Sequence, residues 1–167
     1  DVAVTDVKPY KNIVGQNFTC RINVTVANQG LYPETFKVTL YADATSINIT
    51  TLIALASGGS TTYTVRWDTT GFAKCHNYTI KAAADIIPGE TDIADNTFID
   101  SKIYVGIQGD VDGNDFVEIK DILAIALSYG AYPGHPKWYP NLDLNDDDFI
   151  DIKDILTAAI HFGETDP

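Results

Sequence analysis

One stretch of this chain is written twice. A shift of 33 residues superposes Asp110–Leu123 on Asp143–Leu156, so both copies must fold alike. In each, oxygen-bearing side chains stand at positions 1, 3, 5, 9 and 12 of a 12-residue loop: Asp110, Asp112, Asn114, Glu118 and Asp121, then Asp143, Asn145, Asp147, Asp151 and Asp154. Phe116 and Phe149, at position 7, would add a backbone carbonyl. A hard cation takes six to eight oxygens at about 2.3–2.6 Å, and a tight loop that turns alternate residues inward supplies them. Two bound calcium ions are therefore expected. Val117 and Ile150, at position 8, are expected to join the loops through a short β-bridge. Position 6, often glycine, is Asp115 or Asp148, which must accept a left-handed backbone. Position 12 is Asp rather than the longer Glu, so a large opening motion on ion binding is not expected.

The formal charge of −12 is concentrated around these loops, since residues 106–167 hold 13 of the 23 acidic groups, three lysines and no arginine. That balance argues against nucleic acid as a partner. Branched and aromatic residues interleaved with the acids argue against a disordered acidic tail. The chain opens at Asp1 and contains no methionine, which suggests removal of an N-terminal secretory segment. It has no apolar run long enough to span a bilayer.

The first hundred residues read differently. Phe18, Cys20, Ile22, Val24 and Val26 alternate with polar residues, and Phe36–Leu40, Tyr63–Trp67 and Tyr78–Ala82 repeat the pattern between turn-forming clusters. With strands at 2–7 and 97–105, about seven are expected, the pattern of an immunoglobulin-like sandwich. Four Asn-x-Thr sequons, at Asn17, Asn23, Asn48 and Asn77, are candidate N-glycosylation sites. Asn17, Asn23 and Asn77 fall on the solvent side by strand parity. Cys20 and Cys75 lack a metal or redox spacing. In a secreted chain they are expected to form one disulfide, contributing roughly 4 kcal/mol by loop closure, although two unrelated thiols would fit the sequence too. Parity turns Cys20 inward but Cys75 outward, which places Cys75 in the loop before its strand.

Residues 1–105 resemble CARDB domains, immunoglobulin-like modules of bacterial and archaeal surface proteins. The resemblance rests on Asn28-Gln29-Gly30, on Ser57-Gly58-Gly59-Ser60 before a strand ending at Trp67, and on Asp85 through Pro88-Gly89-Glu90-Thr91 to Asp95-Asn96. Thr97 stands where the family has a second Asn. The resemblance implies a spacer or adhesive role. Residues 108–164 resemble dockerin modules through Asp at position 12, the absence of an apolar helix before the loop, and a following helix ending in Tyr129-Gly130 or Phe162-Gly163. That likeness implies two helices related by a near-twofold axis that dock onto a β-domain, with Ile119-Lys120 and Ile152-Lys153 at the contact. The connector Tyr132–Pro140 is less helical than in cellulosomal dockerins.

The expected architecture is a mainly β sandwich over 1–105 and a small α module over 106–167. The expected function is that of an extracellular, calcium-binding, non-enzymatic structural or adhesive protein. Its partner would be a β-sandwich protein, either a second copy in a head-to-tail filament or a separate cohesin-like protein linked to polysaccharide degradation. His76, His135 and His161 have no triad or zinc spacing. Both helical stretches carry more apolar residues than a two-helix module readily hides.

Overall fold

The computed structural model describes residues 1–165; Asp166 and Pro167, the end of the expected 106–167 segment, lie outside the described residues. Eight strands precede two helices: β1 (Val2–Pro9), β2 (Ile13–Gly15), β3 (Thr19–Asn28), β4 (Glu34–Ala42), β5 (Thr45–Leu55), β6 (Ser60–Asp68), β7 (His76–Ala84), β8 (Thr97–Gly106), α1 (Ile119–Leu127) and α2 (Ile152–Ile160). A 3-10 turn, Pro140–Leu142, lies between the helices. The strands form sheets of order β1-β3-β6 and β2-β8-β7-β4-β5. The fold is thus mainly β and sandwich-like. Two strands escape the sequence pattern. β2 has only three residues, and β5 leaves both of its faces half-buried or exposed because it is a sheet edge.

Residue contacts divide the chain into two compact units. The first comprises Asp1–Pro9, Ile22–Trp67 and Tyr78–Lys102; the second comprises Tyr10–Arg21, Asp68–Asn77 and the chain from Ile103 onward.

In the first unit, alternation becomes burial. Ile22, Val24 and Val26 are fully buried, whereas Asn23 between them is exposed. Each such aliphatic side chain contributes about 1.5–3 kcal/mol. Trp67, at the end of β6, is 1% exposed and meets the Tyr78 ring edge-on at 5.5 Å. Glu90 anchors the turn before β8, accepting hydrogen bonds from Val2 N at 2.8 Å, Ile87 N at 3.0 Å and Asn96 Nδ2 at 2.9 Å. Asn28, from the first turn motif, donates to Tyr32 O and Leu55 O, both at 2.8 Å.

In the second unit, each helix starts from the acidic residue at loop position 9. The Asp121 and Asp154 carboxylates accept the backbone N–H of the N-caps Glu118 and Asp151, at 2.8 Å in both copies. An acceptor at the third helical position satisfies an amide that the helix cannot. Gly130 (φ 81°) and Gly163 (φ 85°) then turn the chain out of each helix. Ile125 and Ala158 face a core built with Val111, Leu142, Leu144 and Ile150, against which Trp138 of the connector packs. Gly109 is required by close approach, because a Cβ there would lie 2.8 Å from Ala158 Cα.

Two expectations are corrected. Cys20 and Cys75 are not joined in a disulfide. Cys20 is turned into the core, its Sγ donating to Lys11 O at 3.7 Å, while Cys75 sits just before β7 in a left-handed conformation (φ 56°), so the opposed parity is not bridged. Nor do Val117 and Ile150 bridge the two loops to each other. Val117 N donates to Glu164 O (2.9 Å) and Gly163 N to Val117 O (2.8 Å), whereas Ile150 N donates to Ala131 O (2.9 Å) and Gly130 N to Ile150 O (2.8 Å). Each left-handed glycine returns the chain alongside the loop of the other repeat, and position 8 is used there.

Candidate metal centre

The duplicated loops wind around the carboxylate at position 1. Asp110 Oδ1 accepts from Gly113 N (2.7 Å) and Asn114 N (3.2 Å), and its Oδ2 accepts from Asp115 N (2.9 Å). Asp143 does the same with Asp147 N (3.2 Å) and Asp148 N (2.9 Å). The residue at position 12 closes the ring from the other side: Asp121 accepts from Val111 N (3.0 Å) and Asp154 from Leu144 N (2.8 Å). Asp115 and Asp148 adopt φ of 67° in both copies, the left-handed backbone that position 6 demands.

Among the described residues, Asp110, Asp112 and Asp121 form the one group of three acidic side chains that bring one oxygen each within 4.8 Å of the others. Asp110 and Asp121 are 2% and 1% exposed, and Asp143 and Asp154 in the second loop are fully buried. Burial raises the Asp110 carboxyl above its ordinary pKa, with the charge of Asp121 adding to it. Burial likewise raises Asp154, and it pushes Asp143 up to about 6, where Lys11 opposes the shift and Asp154 reinforces it. Buried like charges with an unmet need for a counter-charge suit a divalent cation. The donors are all oxygen, the choice of a hard ion.

The remaining expected ligands are oriented by local partners. Asn114 Oδ1 accepts from Phe116 N at 3.0 Å, and Asn145 and Asp147 accept from Asp147 N and Phe149 N, both at 3.1 Å. Glu118 pairs with Lys120 Nζ at 2.8 Å. In the second loop Lys153 Nζ lies 3.0 Å from Asp147 and 3.6 Å from Asp151. Burial alone would raise Asp147, but its bonds from Lys153 and Asn145 hold it below its ordinary value. These exposed lysines occupy the carboxylates a cation would take, and both would have to release them.

Sequence reasoning missed the residues outside the loops that reach them. Tyr104 donates its hydroxyl to Asp115. Arg21 pairs with Asp146 (2.9 Å) and Asp148 (2.6 Å), and Lys11 Nζ donates to Asp143 O at 2.6 Å. No pattern in the chain announces these contacts, because folding creates them across 125 to 132 positions for Arg21 and Lys11.

The CARDB family model matches residues 1–97, more than half of the 167 residues. The chain belongs to the CARDB family. The CARDB domain of a Pyrococcus furiosus protein, crystallised in complex with di-metal ions, is 24% identical, with a TM-score of 0.53 over 63% of this chain and 87% of that one. A domain from Methanosarcina acetivorans, named for a cell surface protein, is 23% identical, with a TM-score of 0.49 over 63% and 90%. A cohesin–X–dockerin complex from Acetivibrio cellulolyticus spans 96% of this chain and 97% of that chain at 16% identity, but its TM-score of 0.33 carries no inference. No curated protein matches the chain. Among the described residues no helix is long and apolar enough to cross a membrane.

The helices display a second duplicated feature. Ile119, Leu123 and Leu127 on α1 are more than half exposed, as are their counterparts Ile152, Leu156 and Ile160 on α2. Lys120 and Lys153 beside them are also exposed. Of the sequon residues, Asn17, Asn23 and Asn77 are exposed and Asn48 is half-buried.

Proposed function

We propose that this CARDB protein is an extracellular, cell-surface assembly protein whose dockerin-like segment, residues 106–167, binds two calcium ions and presents two equivalent helix faces to a β-sandwich partner. The observation that carries this reading is the matched pair of exposed stripes, since residues spaced i, i+4 and i+8 line one side of a helix. Solvent would not select the same three large apolar positions on both helices. Asp110, Asp112, Asn114, Glu118 and Asp121 would hold one ion, with the Phe116 carbonyl. Asp143, Asn145, Asp147, Asp151 and Asp154 would hold the other, with the Phe149 carbonyl. Ile119-Lys120 and Ile152-Lys153 would meet the partner. N-linked glycans would occupy Asn17, Asn23, Asn48 and Asn77.

A second copy of the chain is the favoured partner. β5 is an edge strand of 11 residues without a charge or a proline, and Ile49 and Ile53 on it are 61% and 80% exposed. Natural edge strands usually carry charges or prolines that prevent association, and a head-to-tail contact that does not close grows a filament. Sedimentation of the full chain with and without calcium tests the proposal. Calcium-dependent polymers, lost when both Leu123 and Leu156 become Gln but retained when only one does, are expected. A strictly monomeric chain that also captures no β-domain protein from its native exoproteome would refute it.

A further inference from the structure

The two loops are copies, but their surroundings are not. Within the second unit, Arg21 forks onto the second loop, donating Nε to Asp146 Oδ1 at 2.9 Å and its terminal nitrogens to Asp148 at 3.0 and 2.6 Å. Its guanidinium lies over the Tyr10 ring at 4.1 Å, and the Tyr10 hydroxyl donates to Asp148 at 3.4 Å. Lys11, 4% exposed, donates to Asp143 O at 2.6 Å and stands 4.0 Å from Asp146. Asn12 and Asn141 add a reciprocal pair, Asn12 N to Asn141 Oδ1 at 3.2 Å and Asn141 Nδ2 to Asn12 Oδ1 at 2.8 Å.

The residues these cations grip are the ones the loop pattern leaves spare. Asp146 and Asp148 stand at positions 4 and 6, outside the expected ligand set, and both are left-handed (φ 61° and 67°). The first loop places Gly113 (φ 74°) at position 4, the residue for which that conformation is free of strain. Asp at the same place costs roughly 1–2 kcal/mol. It is tolerated because the buried Asp146 carboxylate is the anchor for Arg21 and Lys11. Arg21 and Lys11 face the two spare carboxylates, and Lys153, on Asp147 and Asp151, is the cation an incoming ion would displace. Both loops otherwise offer four carboxylates and one Asn at the expected ligand positions.

Resting on the calcium reading above, we propose that Tyr10, Lys11 and Arg21 form a strap that holds the second loop in its ion-accepting shape before the ion arrives. The two sites are therefore non-equivalent, and the second fills first. Preorganising groups behind the ligands changes metal affinity by about 10–100-fold, and among the described residues the cationic ones, Lys11 and Arg21, stand at the second loop. Asp115, the counterpart of Asp148, receives the neutral Tyr104 hydroxyl in place of a cation.

The test uses the full chain with one site disabled at a time. With Asp112→Ala, calorimetry with calcium reads the second site; with Asp147→Ala, it reads the first. Adding Arg21→Gln is expected to weaken the second site about tenfold and leave the first unchanged. Equal effects on both sites, no effect on the second, or tighter binding there would overturn the strap while leaving the calcium reading intact. Absence of calcium uptake by the unmodified chain would remove both. Should Arg21→Gln fail to fold, hydrogen exchange of the unmodified chain in excess chelator decides. Asp115 N and Asp148 N make matching 2.9 Å bonds, so slower exchange at Asp148 supports the strap, and equal or faster exchange contradicts it.

Discussion

The two compact units are stabilised by different physics. The first buries aliphatic and aromatic side chains on alternate positions of its strands, and the buried Asn28 amide and the half-buried Glu90 carboxylate are hydrogen-bonded within the protein. The second buries Asp110, Asp121, Asp143 and Asp154, and burial opposes the ionisation of Asp110, Asp143 and Asp154. A sheet core rests on apolar burial; buried carboxylates are stabilised in their charged form by an opposite charge.

On the proposal that both loops hold calcium, the difference is most directly broken with a chelator. With calcium at a hundred times its dissociation constant, each site adds about 2.7 kcal/mol, so chelation should destabilise the second unit by roughly 5 kcal/mol in all. Hydrogen exchange should rise across 109–163 and stay unchanged in β4 and β7. The reciprocal experiment is Trp67→Ala, expected to cost about 3–5 kcal/mol through the cavity beside Tyr78. Denaturant melts should register that loss while calcium stoichiometry remains two.

Acidity bears on the second unit through Asp143. In chelator, Asp143 holds its proton up to about pH 6 in the folded chain, above its unfolded value of about 4. Its contribution to stability is thus complete below pH 4 and fades as pH rises toward 6. Metal-free protein should lose stability over that interval. Calcium should reverse the trend, because the ion binds the ionised carboxylate, and its affinity should fall as the solution is acidified through pH 6. Thermal melts at several pH values with and without calcium check both signs. The smallest stability effect belongs to the helix surface: Leu123→Gln with Leu156→Gln should change it by no more than about 0.5 kcal/mol while abolishing assembly.

Much of this was legible in the sequence for a physical reason. Alternation and the 12-residue loop are local codes, each residue's direction being set by its neighbours, so Ile22–Val26 and Asp110–Asp121 could be placed without tertiary information. β5 was opaque because an edge strand exposes both faces and loses the alternation. Arg21 reads as a polar residue on a strand, and nothing nearby says that folding brings it to Asp146 and Asp148. The pairing of Val117 with Gly163 and Glu164 was likewise set by the turn after α2, not by the loop.

Isothermal calorimetry of the full chain with calcium at neutral pH addresses the account at its centre. Two ions per chain are predicted, falling to one with either Asp112→Ala or Asp147→Ala. A folded chain that takes up none would contradict it.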